Sequence, residues 1–570
     1  ETVMAMIQAR VGRFPARVRR VLRAASVLGE HPRQDGIEYL LAATHADEPV
    51  AKSLDELVRE EIVEPSPSPS SGPIAEAGAG GSMQYHFRHT LVREAVYALV
   101  SEEERRAWHA AAARFLEQAG EREALLLANH YELGQEPAAA VRYYLSAAEQ
   151  AYDAGAIEAT LLCIEHGLSC GATGATRGAL LSLRCLVNAF REGHDQIVLD
   201  GREAMSLLRP GSKPYCQVLY PLSMSTMFLE PSRLPELLFQ LLPLQPEPEA
   251  VAAYCYALAM LASTFVTIGQ RDLGNLVRQR AHLLQPGLPE QDHNVWAHFF
   301  MMEGAYYHND AGLPYTATTY SERAIAAARK AGNRPIQALL LSFHGEALAK
   351  LGQREPATSA LRAAVALAQE TSDSLPLDHA RSYLARHLAE SPESADQELA
   401  AALAQQARTA KFPSSRGWAH AALALLAKGR GDLATAEAEA RTACAVAAAF
   451  HGYSLSASAL LSSILCQQGK YDEALRVCLD AEARILAMGI EPLRILELYA
   501  ALADARQGLG QSEAARETVA KALPILRRRL LDIPHPALRH TLLDQVPENA
   551  HLLAQASAWG LDLTELRSPG

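Results

Sequence analysis

From about residue 121 onward, apolar residues recur every three or four positions, the spacing of one face of an α-helix. After Ala357, the positions Leu361, Ala364, Val365 and Ala368 form one stripe, and Leu341, Gly345, Leu348 and Leu351 form a facing stripe on the helix before it. A short phrase punctuates these stripes: a glycine, four residues, then a small residue that opens a new apolar helix. It reads GQRDLG at Gly269–Gly274, GLPYTA at Gly312–Ala317 and GQREPA at Gly352–Ala357. It returns as GRGDLA at Gly429–Ala434, GKYDEA at Gly469–Ala474 and GQSEAA at Gly510–Ala515. The small residues stand at 274, 317, 357, 434, 474 and 515, at intervals of 43, 40, 77, 40 and 41. A degenerate copy, ESPESA at Glu390–Ala395, divides the long interval, and weaker copies lie at Gly155 and Gly193. A glycine suits a left-handed helix cap, and a small residue lets the next helix lie close. The pattern therefore predicts helix pairs stacked about every forty residues as a solenoid.

The first 120 residues follow a different plan. Pro15 opens a helix with an apolar stripe of Val18, Val21, Leu22, Ala25 and Leu28, ending at Gly29. Helices are predicted near Gly36–Ala43 and Val50–Glu60, followed by a β-prone Ile62-Val63 and a low-complexity loop over Pro65–Ser82. Met83–Arg88 alternates like a strand, and a helix follows over Thr90–Val100. Ser101 and Glu104 form a capping box for a helix carrying Trp108, Ala111, Ala112, Phe115 and Leu116. Helices around two short strands and a long loop describe a winged helix, with residues 65–82 as its wing. The expected organisation is a winged-helix-like domain over 1–120, helical repeats over 121–545, and a cap and tail over 546–570. The fold class is all-α, a right-handed helical superhelix behind the small first domain.

Composition narrows the function. About half the residues are apolar, alanine and leucine dominate, and aromatics make up only 6%, a balance suited to closely packed helices. A net charge of −12 argues against a general nucleic-acid or anionic-membrane binder. Eight scattered cysteines without a CxxC pair read as core-filling thiols of a reducing, cytoplasmic compartment. The chain starts with Glu1 inside what reads as a helix, so a fragment or processed product is expected. Ala250–Gly269 runs twenty positions without a charge, long enough for a membrane span. Its Ala, Ser, Thr and Tyr content and its place in the repeats favour a buried repeat helix, and no membrane association is expected.

No phosphate-binding loop, HExxH, GxSxG, kinase phrase or Cys/His metal spacing occurs. The acidic residues are spread as on solvated helix faces. No catalytic residue and no metal ligand is therefore nominated, and the chain is not expected to be an enzyme. Two features leave alternatives open. Arg10, Arg13, Arg17, Arg19, Arg20 and Arg23 are six arginines in fourteen residues, a DNA-phosphate contact or a solvated or inter-domain face. Ten of the 35 aromatics fall within the 67 residues from Tyr254 to Tyr320, where an even spread gives about four. This concentration is either a ligand site or thicker core packing. On the first reading the partner-binding residues are Tyr254, Trp296, Phe300, Tyr306, Tyr307 and His308, suited to a peptide or small ligand.

The repeat phrase resembles tetratricopeptide repeats, at Gly345, Ala357, Leu361 and Ala364 and at Ala474 with Tyr471, although its period exceeds the usual 34. The segment YHFRHTLVREAVY at Tyr85–Tyr97, continuing to Arg105, Arg106 and His109, resembles the winged-helix region of STAND-class signal-transduction ATPases. RRVLRAASVLG at Arg19–Gly29, LANHYELG at Leu127–Gly134 and LDQVPENAHLLA at Leu543–Ala554 are similar to the same class, including its large kinase–ATPase, cyclase–ATPase and LuxR-type members. The resemblance implies a sensor portion lacking the nucleotide-binding domain. It implies a protein or small-molecule effector on the repeats and the protein's own ATPase domain as a partner in cis. No cofactor is implied in this chain, ATP or ADP being expected on the absent neighbour. It also implies a role for His89, contacting the phosphate of ADP on that neighbour. The bland reading of His89 is a residue at its own helix start. The alternatives are a DNA-binding regulator or a generic tetratricopeptide scaffold.

Overall fold

The computed structural model describes residues 2–44, 50–66, 82–191, 193–371, 374–448 and 450–567. Among the described residues thirty α-helices, mostly in sequential pairs, accompany one two-stranded sheet. The expected wing falls almost wholly on residues 67–81, outside the described residues. The chain divides into two compact units, Glu1–Arg184 and Cys185–Gly570.

In the first unit the helix Ala16–Val27 buries Val18, Val21, Leu22 and Ala25 of its predicted stripe, and with Gln34–Ala43 and Val50–Arg59 it surrounds one core that includes Leu54, Leu57 and Trp108. Strands Val63–Ser66 and Gln84–Phe87 pair antiparallel, with Val63 opposite Phe87. The free edge of the second strand is used as well: Tyr85 N donates to Pro32 O at 2.9 Å, and Gln34 N to Met83 O at 3.0 Å. Ser101 caps the helix Glu102–Gln118, its hydroxyl accepting from Glu104 N at 3.3 Å. The first repeat helices, Ala124–Leu133, Pro137–Asp153 and Ile157–Ser169, belong to this unit, so the boundary expected near residue 120 falls inside it.

The second unit is built by the repeat phrase. Gly269, Gly312, Gly352, Gly469 and Gly510 all adopt φ between 62° and 78°. Five residues after each, Gly274, Ala317, Ala357, Ala474 and Ala515 are buried against the preceding helix. One copy is displaced from its expected register. In GRGD the left-handed residue is Gly431, not Gly429, and the buried contact is Ala436, while Ala434 is exposed. Asp432 decides this, because its carboxylate accepts from Thr435 N at 3.1 Å and starts the helix Leu433–Val446 two residues late. In the degenerate copy Ala395 is exposed, and the contact passes to Ala400 on the helix Ser394–Ala407.

The apolar stretch near Ala250 forms the helix Val251–Thr267, and 67% of its most apolar window is buried inside the protein, so its hydrophobicity serves the core. At the C-terminus, helices Pro547–Ala558 and Thr564–Arg567 bury Leu552, Ala556 and Leu566 in a core shared with Leu526 and Leu530. The segment Gly489–Arg494 does not stay at the edge of its own pair. Glu491 N donates to Asp310 O at 2.8 Å and Leu493 N to His308 O at 3.0 Å, tying it to the end of the helix His293–Asn309.

Close approach of paired helices has a testable consequence at Gly345. A β-carbon there would lie 2.6 Å from Leu361 Cγ and 3.2 Å from Ala357 O. At Gly304, also mid-helix, it would meet nothing nearer than 3.8 Å. Gly345→Ala is expected to destabilise by about 1–3 kcal/mol through overpacking. Gly304→Ala is expected to stabilise by about 0.5–1 kcal/mol through helix propensity. Urea unfolding of both variants reads the two signs, and equal signs would refute the packing account.

Candidate functional site

In the second unit the first helices of successive pairs turn one face toward a shared cavity of about 170 Å³. The helix His293–Asn309 contributes Met301, Gly304, Ala305 and His308, and Arg334–Lys350 contributes Ile336, Leu340, Phe343 and Glu346. Both sets follow the three-and-four spacing of a single helix face. Met224, Met227, Met260 and Phe228 make one part of the wall apolar, and methionine packs adaptably around varied shapes. Trp418, Tyr383 and Tyr453 line another part, with Trp418 and Tyr453 ring centres 5.2 Å apart and the two tyrosine hydroxyls 3.0 Å apart.

A buried ion cluster adjoins the aromatic part. Arg494 reaches it from the inserted Gly489–Arg494 segment. Its Nε donates to Glu346 Oε1 and its Nη1 to Glu497 Oε1, both at 2.6 Å, and its guanidinium lies 4.6 Å from the Trp418 ring centre. Lys350 binds Glu497 and, at 2.6 Å, Glu548. Arg386 pairs with Glu390 at 2.7 Å. Burial pushes the Glu346 carboxyl up, but Arg494 and His308 outweigh it and hold the group far below the usual carboxylate range. Burial lowers the His379 imidazole to about 4, so the ring is neutral at pH 7. Glu346 Oε2 and His379 Nε2, both at buried positions of lining residues, make no hydrogen bond. An arrangement of this kind, mostly apolar with a few polar groups, holds and orients a small guest.

Of the six partner-binding residues predicted from aromatic density, the structure brings His308 to the cavity, where its Nε2 lies 3.2 Å from Glu346 Oε2. The other five pack elsewhere. Tyr254 is fully buried, its hydroxyl donating to Leu241 O at 2.7 Å. Trp296 donates to Pro289 O at 3.1 Å and packs on Phe300, which Arg323 covers at 4.0 Å. Arg278 covers the Tyr306 ring at 4.1 Å, and Tyr307 stacks on Tyr320 at 5.4 Å. None of these five side chains lines the cavity. Glu346, His379, Trp418 and Arg494 were not predicted. Three of them are polar or amphipathic positions on first helices, a signal that reading those helices face by face would have raised.

In the first unit His89 is exposed. It directly precedes the helix Thr90–Tyr97 and makes no side-chain cap bond. The residues carrying the sequence resemblance around it meet in one chain of contacts. Tyr97 Oη lies 2.8 Å from His109 Nε2, and His109 Nδ1 lies 2.9 Å from His130 Nδ1, while Arg105 covers the Tyr97 ring at 4.7 Å. The arginine cluster is largely engaged within the unit. Arg10 donates to Glu60 O at 2.7 Å and Arg19 to Gly12 O at 2.9 Å. Arg17 pairs with Glu56 at 3.2 Å and Arg23 with Glu104 at 2.9 Å, and Arg20 is also partnered.

No protein-family model and no curated protein matches the chain. Among solved structures, the chain is similar to a Rap protein complexed with competence and sporulation factor, with a TM-score of 0.41 and 13% identity over 62% of this chain and 99% of that one. It is similar to a STAND protein with a tetratricopeptide repeat sensor from Pyrococcus horikoshii, with a TM-score of 0.32 and 15% identity over 84% of this chain. The chain spans 64% of that protein's length. A third likeness is to the tetratricopeptide domain of P58(IPK), with a TM-score of 0.19 and 12% identity over 73% of this chain and 99% of that one.

Proposed function

We propose that this chain is the non-catalytic sensor portion of a cytoplasmic signal-transduction ATPase, taking a protein or small-molecule effector on its repeats. The observation that carries the binding role is the cavity between the first helices, whose wall includes the buried His379 Nε2 without a hydrogen-bond partner. Unsatisfied buried polar groups are costly unless a guest or water engages them. Helical solenoids commonly bind peptides and proteins on their inner faces, which agrees with this placement.

The signalling role draws on the first unit. A winged-helix-like reading is supported by three helices, a hairpin, and backbone bonds from residues 32 and 34 along its free edge. The Tyr97–His109–His130 contacts tie the helix after the hairpin to the helix Ala124–Leu133 at the head of the repeats. His89, exposed at a helix start, would contact ADP held by the neighbouring ATPase domain. Effector binding would shift the population toward a state in which that contact is released. The engaged arginines give the DNA-binding alternative little free cationic surface.

In this reading the nucleotide site belongs to another domain. Equilibrium dialysis of this chain with labelled ATP is expected to show no saturable binding. Binding with a defined stoichiometry would overturn the placement of the nucleotide site on a separate domain.

A further inference from the structure

The cavity has a direction. Along Arg334–Lys350 the lining runs Ile336, Leu340, Phe343, Glu346, from apolar to anionic over ten residues, about 15 Å of helix. Along His293–Asn309 it runs from Met301 to His308, and along Val251–Thr267 from Met260 to Thr264 and Thr267. On these three helices the polar lining residues lie toward the C-terminal end.

Two acceptors line the cavity, Glu346 and His379. Glu346 spends Oε1 on Arg494 and leaves Oε2 without a hydrogen bond, although its side chain is only 3% exposed. His308 approaches Oε2 at 3.2 Å, in ion-pair range but without hydrogen-bond alignment. His379 is 5% exposed, and as a neutral ring it has a nitrogen lone pair to offer. Aromatic rings flank the imidazole: the His379 ring centre lies 5.0 Å from Phe343 and 4.5 Å from Tyr383. A carboxylate, a neutral imidazole and ring faces together favour a donor with positive charge over an anion. The volume limits how much of the guest is buried. A cavity of about 150 Å³ holds a benzene-sized guest, and this one is about 170 Å³.

We propose that the cavity binds a primary ammonium group carried on a short apolar or aryl chain, with the ammonium between Glu346 and His379 and the chain along Leu340 and Ile336 toward Met260 and Met301. This rests on the reading of the cavity as the effector site. A free amine and the amino-terminal residue of an apolar peptide share this chemistry.

The test uses the full chain and calorimetry with phenethylamine, phenethyl alcohol and phenylpropionate, alongside the tripeptide Phe-Leu-Gly with a free or acetylated amino terminus. Phenethylamine or the free tripeptide is expected to bind saturably, and whichever of the two binds identifies the source. The alcohol and the acetylated peptide should bind at least about tenfold more weakly, and the carboxylate not at all. Glu346→Gln should lower ammonium affinity by about tenfold or more, with circular dichroism confirming the fold. Because that change touches the ion cluster, His379→Phe gives a second reading of the polar end. Met260→Trp blocks the apolar end and should abolish binding with the ion cluster intact. Equal affinity for the alcohol and the amine, unaffected by either polar-end variant, would overturn the ammonium proposal while leaving the cavity as a ligand site. Failure of every probe to bind folded protein would overturn both, leaving a cavity that holds water only.

Discussion

Arg494→Ala is expected to lower the stability of the second unit by about 3–5 kcal/mol, the cost of leaving a buried carboxylate without its cation. The Arg494 side chain is 11% exposed and that of Glu346 only 3%, so solvent cannot replace the lost partner. Glu497 retains Lys350 and a hydrogen bond from Ser456 Oγ at 2.8 Å, whereas Glu346 is left with the misaligned His308. The loss therefore concentrates at Glu346, and Glu346→Gln introduced beside Arg494→Ala recovers part of it. The guanidinium also covers the Trp418 ring, and its segment is held by Arg529 donating to Leu493 O at 2.8 Å. Trp418 fluorescence thus reports the same event. Urea unfolding of the two single variants and the double variant gives the coupling energy directly. Additive losses would show that Arg494 and Glu346 do not act as a pair.

Arg494 also marks where sequence reading ends. The paired helices were legible because each pair repeats one local requirement, a left-handed residue followed five positions later by a small one. Where the requirement is met by different residues, the reading slips. Gly429 and Gly431 both fit the phrase, and only the Asp432 cap chooses between them. At the head of the repeats the left-handed residue is Gln135, with φ of 57°, followed by buried Ala140, so no glycine at that position announces the turn. The hairpin was legible from alternation at Gln84–Phe87, and the Ser101 cap from its box.

The cavity was not legible in the same way. Aromatic density counts side chains without asking which way they face, and Tyr254, Trp296, Phe300, Tyr306 and Tyr307 all spend their rings on packing between helices. His308 was found because it shares that stretch of sequence, though it lies on the opposite face from Tyr306. Glu346 could have been suspected as the one acid in the stripe Ile336, Leu340, Phe343. Its partner could not, because Arg494 lies 148 residues away on a connecting segment whose docking depends on the backbone of His308 and Asp310.

Lowering the pH from 7 to 5 is expected to destabilise both units. His109 is held at about 3, and His130, His344, His379 and His387 at about 4, in each case chiefly by burial. The unfolded chain binds these protons near pH 6.5 and the folded chain does not. The contribution is therefore complete above about pH 6.5 and is lost as the pH falls toward 4. At pH 5 each site costs about 2 kcal/mol, a shift of about 1.5 pH units at 1.36 kcal/mol each. His109 and His130 act on the first unit, where their nitrogens face each other at 2.9 Å and a second proton has no acceptor. The other three act on the second unit. His551, raised by the hydrogen bond it donates to Asp504, works in the opposite sense but is a single group. The depressed Glu346 and Glu497 add their loss only below the ordinary carboxylate range, so the two causes occupy separate pH windows. Urea midpoints measured between pH 7.5 and 5 should fall steeply, and His344→Gln with His387→Gln should flatten the curve for the second unit. Midpoints that stay level down to pH 5 would mean that water reaches these rings and that the helices around them are packed more loosely than the structure has them.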